Sequence, residues 1–229
     1  MLSMKIDILT LFPDMFRGPF DKSIIKRAQN KGYVEINIHN IRDWATDKHK
    51  TVDDRPFGGG IGMIMKVDVL DRAIQNLHSG KTKTKVILLD AGGRKFTQKE
   101  AKKLSRIKHL ILIAGHYEGV DSRVHEKIAD EVISIGDYIL TGGELPAMVL
   151  TDAIVRLLPK VLEKPSATAF ESFSPSALLE YPQYTRPESY KGWNVPKILL
   201  SGNHKEIEKW RLNKSIKKTK ERRPDLLEK

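Results

Sequence analysis

Three times between residues 85 and 158 a short aliphatic run ends at glycine and gives way to helical spacing, and this repeated unit constrains the fold more than any other feature. Lys85 to Leu89 leads into Asp90-Ala-Gly-Gly-Arg94, and Thr97-Gln-Lys-Glu100 forms a capping box that predicts a helix to about Ile107. Leu110 to Ala114 leads into Gly115-His-Tyr-Glu-Gly119, with a helix expected near 121–128. The run at Ile133 enters a loop carrying Gly136, Gly142 and Gly143, then a helix predicted over 147–158. Strands and helices alternating at this spacing predict an α/β fold with a parallel sheet, and ligands in such sheets bind beyond the carboxyl ends of the strands. Glycine there lets backbone N–H and C=O groups approach a bound molecule where a Cβ would block them. One such loop is usually only a turn; three that converge predict a cofactor pocket.

Upstream, Lys5 to Leu11 reads as a strand, 15–31 as a helix closed by Gly32, and Val34, Ile36 and Ile38 alternate with polar residues as a strand with one wet face. A long loop from Asn40 to Met65 precedes a helix over Val67 to Leu77. Past Leu158, prolines at 159, 165, 175, 182, 187 and 196 punctuate a polar segment, and Asn203-His-Lys-Glu206 opens a helix to about Leu212. The expected organisation is a domain over 1–160, a linker over 161–174 and a small helical basic domain over 175–229. The net charge of +11 favours polyanionic partners such as nucleic acid. Between His204 and Arg223, nine Lys or Arg face three Glu, about half of that excess. The chain has no cysteine, which excludes disulfides and thiolate chemistry and fits a reducing cytoplasm. With no export signal at the start and no apolar run near the roughly 20 residues a membrane span needs, a soluble cytoplasmic protein is expected.

Several chemistries lack their signal. No G-x-G-x-x-G follows a strand and no G-x-x-x-x-G-K-[ST] occurs, which argues against a dinucleotide dehydrogenase or a P-loop enzyme. There is no H-E-x-x-H, and a structural zinc site would have no thiolates. No G-x-S-x-G elbow supports acyl transfer through serine.

Six blocks carry a resemblance: Leu11-Phe-Pro-Asp-Met-Phe16, Thr51-Val-Asp-Asp-Arg-Pro-Phe-Gly-Gly-Gly-Ile-Gly-Met63, Gly115-His-Tyr-Glu-Gly-Val-Asp121, Ser134-Ile-Gly-Asp-Tyr-Ile-Leu-Thr-Gly-Gly-Glu-Leu-Pro-Ala-Met148, Tyr184-Thr-Arg-Pro187 and Leu199-Leu-Ser-Gly-Asn-His204. Together, over nearly the whole chain, they resemble the bacterial tRNA (guanine-N1)-methyltransferases of the TrmD family, within the SPOUT methyltransferases. The resemblance implies a deep trefoil knot, which no topology rule would have suggested, and an obligate homodimer whose active site lies at the subunit interface. It also implies S-adenosylmethionine as methyl donor, N1 of guanosine 37 of tRNA as acceptor, and a role in maintaining the reading frame. By motif position, the cofactor-binding residues would be Leu88, Ala91, Gly92, Gly115, Tyr117, Glu118, Ile135, Gly136, Tyr138, Leu140, Gly142, Gly143 and Pro146. Tyr138 is alternatively a core aromatic, and Glu118 a surface acid.

Glu171, in Phe170-Glu-Ser-Phe173, stands where the family more often has Asp and would be the general base; otherwise it is a solvated linker acid. Arg156 would stabilise charge developing on guanine O6, or simply pair with Asp152 one turn back. By the same resemblance Glu118 would lie near the methionine end of the donor. For tRNA the candidates are His49, Lys50, Asp53, Arg55, Gly59 and Gly60 in the long loop, and Arg186, Ser201, Asn203, His204 and Arg211 in the second domain. The resemblance implies magnesium, yet the sequence shows no ligand cluster for it. Two alternatives remain: a related methyltransferase acting on another RNA acceptor, and a non-catalytic RNA-binding protein.

Overall fold

The computed structural model describes residues 3–78, 80, 83–164, 168, 170–173 and 178–227. The chain divides into two compact units, Met1–Glu163 and Lys164–Lys229. In the first, chain order runs β1 (Met4–Thr10), α1 (Ser23–Asn30), β2 (Val34–Asn40), β3 (Asp53–Asp54), β4 (Ile64–Met65), α2 (Val67–Leu77), β5 (Thr84–Lys95), α3 (Gln98–Leu104), β6 (His109–Ala114), β7 (Glu131–Ser134) and α4 (Glu144–Val155). Five strands form a parallel sheet in the order β2-β1-β6-β5-β7.

The aliphatic runs are buried on both sheet faces, and alternation decides which residue goes where. Ile6, Ile8, Ile87, Leu89, Leu110 and Leu112 pack on one side with residues of α1, α3 and α4. Leu9, Val86, Leu88, Ile111 and Ile113 pack on the other with Val69, Leu70, Ala73 and Ile74 of α2. Within this apolar sheet lies a polar knot of side chains. Asp7, fully buried on β1, meets His109 Nε2 at 2.6 Å, His39 Nε2 at 2.9 Å and Lys5 Nζ at 2.9 Å, and accepts a hydrogen bond from Asn37 Nδ2 at 3.1 Å. Burial alone would raise its pKa, but the hydrogen bonds from His109, His39, Lys5 and Asn37 outweigh that and hold the carboxyl far below its ordinary range.

The structure departs from expectation at several elements. The helix expected over 15–31 is broken: a 3-10 turn at Pro13–Phe16 ends before α1 starts at Ser23, because Gly18 turns with φ +94° and Pro19 follows it. Near 121–128 the chain makes only one wide turn, Val124–Ile128. β5 continues through the expected loop to Lys95, its pairing with β7 shifting register between Leu89 and Arg94. At α3 only half of the capping box forms: Thr97 Oγ1 accepts from the Glu100 N–H, whereas the Glu100 carboxylate turns to Arg94 and Lys103. α4 begins at Glu144, three residues before the apolar spacing signals it.

The second unit holds β8 (Ser189–Tyr190), β9 (Trp193–Asn194) and α5 (His204–Arg222). The two short strands pair antiparallel around Lys191-Gly192, both at positive φ, the geometry that suits a tight hairpin. α5 runs ten residues beyond the expected end at Leu212. Its inner face is Ile207, Ser215 and Thr219, so two of the three buried positions are polar and the apolar period fades after Trp210. Thr219 Oγ1 accepts from Leu179 N and Lys218 Nζ donates to Glu180 O, fastening the preceding strand of chain to α5. Of the expected linker over 161–174, residues 165–167, 169 and 174 lie outside the described residues. Among the described residues, no helix is long and apolar enough to cross a membrane.

Candidate functional site

A cleft opens at the carboxyl ends of β6, β5 and β7, where the chain steps from β5 to β6 and then back across β5 to reach β7. Such a reversal leaves a crevice between loops that leave the sheet in opposite directions. Its walls come from Leu88–Ala91 at the bend in β5, Gly115–Val120 after β6, and the stretch from Ile133 to Pro146 after β7. Twelve of the thirteen candidate cofactor residues line it: Leu88, Ala91, Gly115, Tyr117, Glu118, Ile135, Gly136, Tyr138, Leu140, Gly142, Gly143 and Pro146. Gly92 does not. Tyr138 is 54% exposed, so it is a rim residue and not a core aromatic. Nine further residues line the cleft beyond the candidates: Leu89, Asp90, His116, Gly119, Val120, Ile133, Ser134, Ile139 and Thr141. All nine lie inside or beside the glycine loops, so loop membership is the signal that points to them.

The glycines are needed because the three loops touch backbone to backbone. A Cβ on Gly143 would lie 2.6 Å from the Ala114 Cα, and one on Gly93 would lie 2.6 Å from the Ile133 nitrogen. The Gly143 N–H donates to the Gly115 carbonyl at 2.7 Å, joining two walls directly. At the glycines of the lining no side chain covers the backbone, so its donors and acceptors can be approached there.

The long loop reaches the same cleft. β3 and β4 form a small antiparallel pair, and Met65 then bridges in parallel to Val120. Glu118 N donates to Met63 O, and Met65 N to Gly119 O. Gly62, at φ +81°, packs so closely on the Glu118 side chain that a Cβ would sit 2.4 Å from its Cγ. The Glu118 backbone is thus tied to the loop carrying His49, Lys50, Asp53, Arg55, Gly59 and Gly60, while its side chain is exposed on the surface of the cleft wall. Of these, Asp53 is half-buried and the rest are exposed. Downstream of the same wall, the Arg123 guanidinium grips Asp121 at 2.6 Å and lowers its carboxyl to about 2.

Arg156 is not gathered into the cleft. It caps the far end of α4, ten residues after Pro146, which at the helical rise of roughly 1.5 Å per residue is about 15 Å along the axis. Glu171 belongs to the second unit, half-buried in a bend beside Ser172, whose hydroxyl accepts from Glu180 N. In that unit Arg186 and His204 are exposed, and Ser201 Oγ donates to the Ile198 carbonyl. Asn203 caps α5 through Glu206 N, and Arg211 stacks on Tyr181 at 4.8 Å. Asn203 and Ser201 thus have structural work besides any contact with RNA. Among the described residues, no three His, Asp or Glu side chains gather to hold a metal ion.

The family described as tRNA (Guanine-1)-methyltransferase TrmD matches residues 4–229. A tRNA (guanine-N(1)-)-methyltransferase of Dictyoglomus turgidum is 56% identical over 226 residues, covering 99% of this chain and 91% of its own length. The protein of that name from Carboxydothermus hydrogenoformans is 55% identical over 224 residues, covering 98% of this chain and 87% of its own. The one from Staphylococcus epidermidis is 52% identical over 225 residues, covering 98% and 91%. On a match that spans the sheet, its three glycine loops and the basic second unit alike, the chain belongs to the TrmD family of tRNA (guanine-1)-methyltransferases.

Proposed function

We propose that this chain transfers a methyl group from S-adenosylmethionine to N1 of guanosine 37, immediately 3′ of the tRNA anticodon, and so maintains the reading frame. The observation that carries the reading is the cleft where three glycine loops converge, in a chain whose relatives are named for tRNA guanine methylation. The cofactor fits the residues present: the cleft is lined by polar side chains such as Asp90, His116 and Glu118 beside apolar ones such as Leu88, Ile135 and Leu140, and its walls close because Gly143 meets the backbone at Ala114 with no side chain between them. When bound it supplies a methyl group on a sulfonium, already electrophilic, so what remains for the protein is positioning and removal of the N1 proton. Glu171 takes that proton. Arg156 stabilises the charge that develops on O6. Glu118, braced by Gly62, orients the reacting end of the donor.

The placement of Arg156 about 15 Å along α4 from the cleft supports a homodimer in which a second copy brings its arginine to this cleft. Ile139, Leu145 and Val149 are exposed apolar side chains on the cleft loop and α4, a surface that a second copy would bury. The backbone-to-backbone interleaving of the loops at Gly93 and Gly143 supports a trefoil knot. We assign the second unit, with its basic α5, to tRNA binding through Arg186, Ser201, Asn203, His204 and Arg211, joined by the exposed long-loop residues. Phosphate neutralisation by the α5 lysines adds affinity without base specificity. The described residues offer no ligand set for the magnesium that the resemblance implies, and no step is routed through it.

The test is methyl transfer from labelled S-adenosylmethionine to a tRNA transcript with guanosine 3′ of the anticodon, beside one with adenosine there. Label on the first alone, mapped to N1, is expected; label on neither points to another RNA acceptor. Glu171→Gln is expected to lose transfer while donor binding survives. Near-normal transfer by that variant removes Glu171 from the mechanism.

A further inference from the structure

Beneath the cleft lies a group of side chains with no role in the scheme above. Glu144, the first residue of α4, is 1% exposed, and its Oε1 accepts a hydrogen bond from Thr10 Oγ1 at 2.8 Å. Thr10, at the end of β1, is itself fully buried and also accepts from Phe12 N. The other carboxylate oxygen, Oε2, points to His116 Nδ1 at 3.9 Å. That is ion-pair distance but too long for a hydrogen bond. His116 Nδ1 is buried and finds no hydrogen-bond partner among the described residues. A buried polar atom without a partner is uncommon and asks for a reason. Gly142 supplies the shared space: a Cβ there would lie 2.3 Å from Glu144 Oε2 and 2.5 Å from His116 Nδ1.

The arrangement connects three strand ends. Thr10 closes β1, His116 stands in the wall after β6, and Glu144 follows the wall after β7. The His116 ring packs on Phe12, just past β1, at 4.8 Å and on Tyr117 of its own wall at 5.3 Å. Glu144 is fixed, by Thr10 and by the start of a helix whose free N–H groups favour an anion. One partner is anchored, the other rides on a cleft wall, and about 1 Å separates them from a charge-assisted hydrogen bond.

Resting on the reading of the cleft as a donor site, we propose that Glu144 and His116 are positioning residues that form a latch. When the donor fills the cleft, His116 Nδ1 closes onto Glu144 Oε2 and draws the Gly115–Gly119 wall down upon it. Glu144 does not touch the donor. The latch acts on donor affinity and leaves the chemical step alone.

Donor binding is measured with S-adenosylhomocysteine by calorimetry on the whole protein, for wild type, His116→Phe, Glu144→Gln and the double variant. Phenylalanine keeps the ring packing on Phe12 and Tyr117 but has no Nδ1. Each single variant is expected to raise Kd about tenfold, the worth of one hydrogen bond to a charged group. The double variant should be no worse than about tenfold, because both changes remove the same contact. In steady state, KM for the donor should rise with kcat nearly unchanged at saturation. Wild-type affinity in His116→Phe, or multiplication of the two losses in the double variant, overturns the latch. If Glu144→Gln does not fold, His116→Asn replaces it: its amide N–H stands near the place of Nδ1 and should recover affinity that His116→Phe lacks, and no recovery overturns the proposal. Failure of wild type to bind S-adenosylhomocysteine would sink the reading of the cleft itself.

Discussion

At Gly62 one absent Cβ decides where an acid stands. The residue holds φ +81° and presses on Glu118, so alanine there meets both backbone strain and a side chain 2.4 Å away. Gly62→Ala should push Glu118 out of line and raise the Kd for S-adenosylhomocysteine about tenfold. The neighbouring Gly58→Ala, whose Cβ meets nothing within 4 Å, suffers only the φ strain and should leave Kd within about threefold. Equal losses in the two variants would show that the loop backbone, not the contact with Glu118, sets affinity. Residue identity showed these glycines at once, and their loop was visible as a loop. What the sequence left hidden was the partner of each, since Gly62 meets Glu118 and Gly143 meets Ala114 across separations no local pattern encodes.

Among the elements, β1, β5 and β6 were legible because aliphatic runs bounded by glycine have few other uses. Elements stabilised by polar contacts were not. α5 outruns its apolar spacing by ten residues because Ser215 and Thr219 face inward, and α1 is shorter than its spacing predicts because Gly18-Pro19 breaks the chain ahead of it. The polar knot on β1 belongs to the same class: Lys5 to Leu11 reads simply as a strand, and nothing local signals that Asp7 is fully buried among two histidines and a lysine. Its folded pKa lies below the ordinary 3.8, so the stabilisation is complete above that value and is lost as pH falls through and below it. Asp7→Asn should cost about 3 kcal/mol at neutral pH in urea unfolding, since it removes the fully buried carboxylate to which His109, His39 and Lys5 are bonded. The gap between variant and wild type should narrow on acidification below pH 4, and a constant gap would deny the carboxylate this role.

For the whole molecule, the central question is which copy completes the cleft. If a second copy supplies Arg156, a cleft-blocking variant such as Leu140→Asp and the variant Arg156→Ala should each be nearly inactive alone. Mixed after subunit exchange, they should recover about a quarter of wild-type transfer, because half the dimers are mixed and each carries one intact site. No recovery, with mixed dimers demonstrated, would place the arginine in the same chain as the cleft it serves. A linear sequence could name Arg156 and the cleft residues but could not separate them by a helix length. That took the register of α4, whose first turn touches the cleft and whose last does not.

Because glycines stand at five places in the cleft's lining, part of its surface offers no side chain for mutation to alter. A molecule seated against those glycines would draw affinity there from carbonyls and N–H groups that every amino acid carries. Exchanges at Gly142 or Gly143 large enough to evict it would also press on His116 and Glu144, or on the backbone at Ala114. The escape routes left to such a chain run through the rim, at Tyr138, Ile139 and Leu140, where side chains are exposed and free to vary.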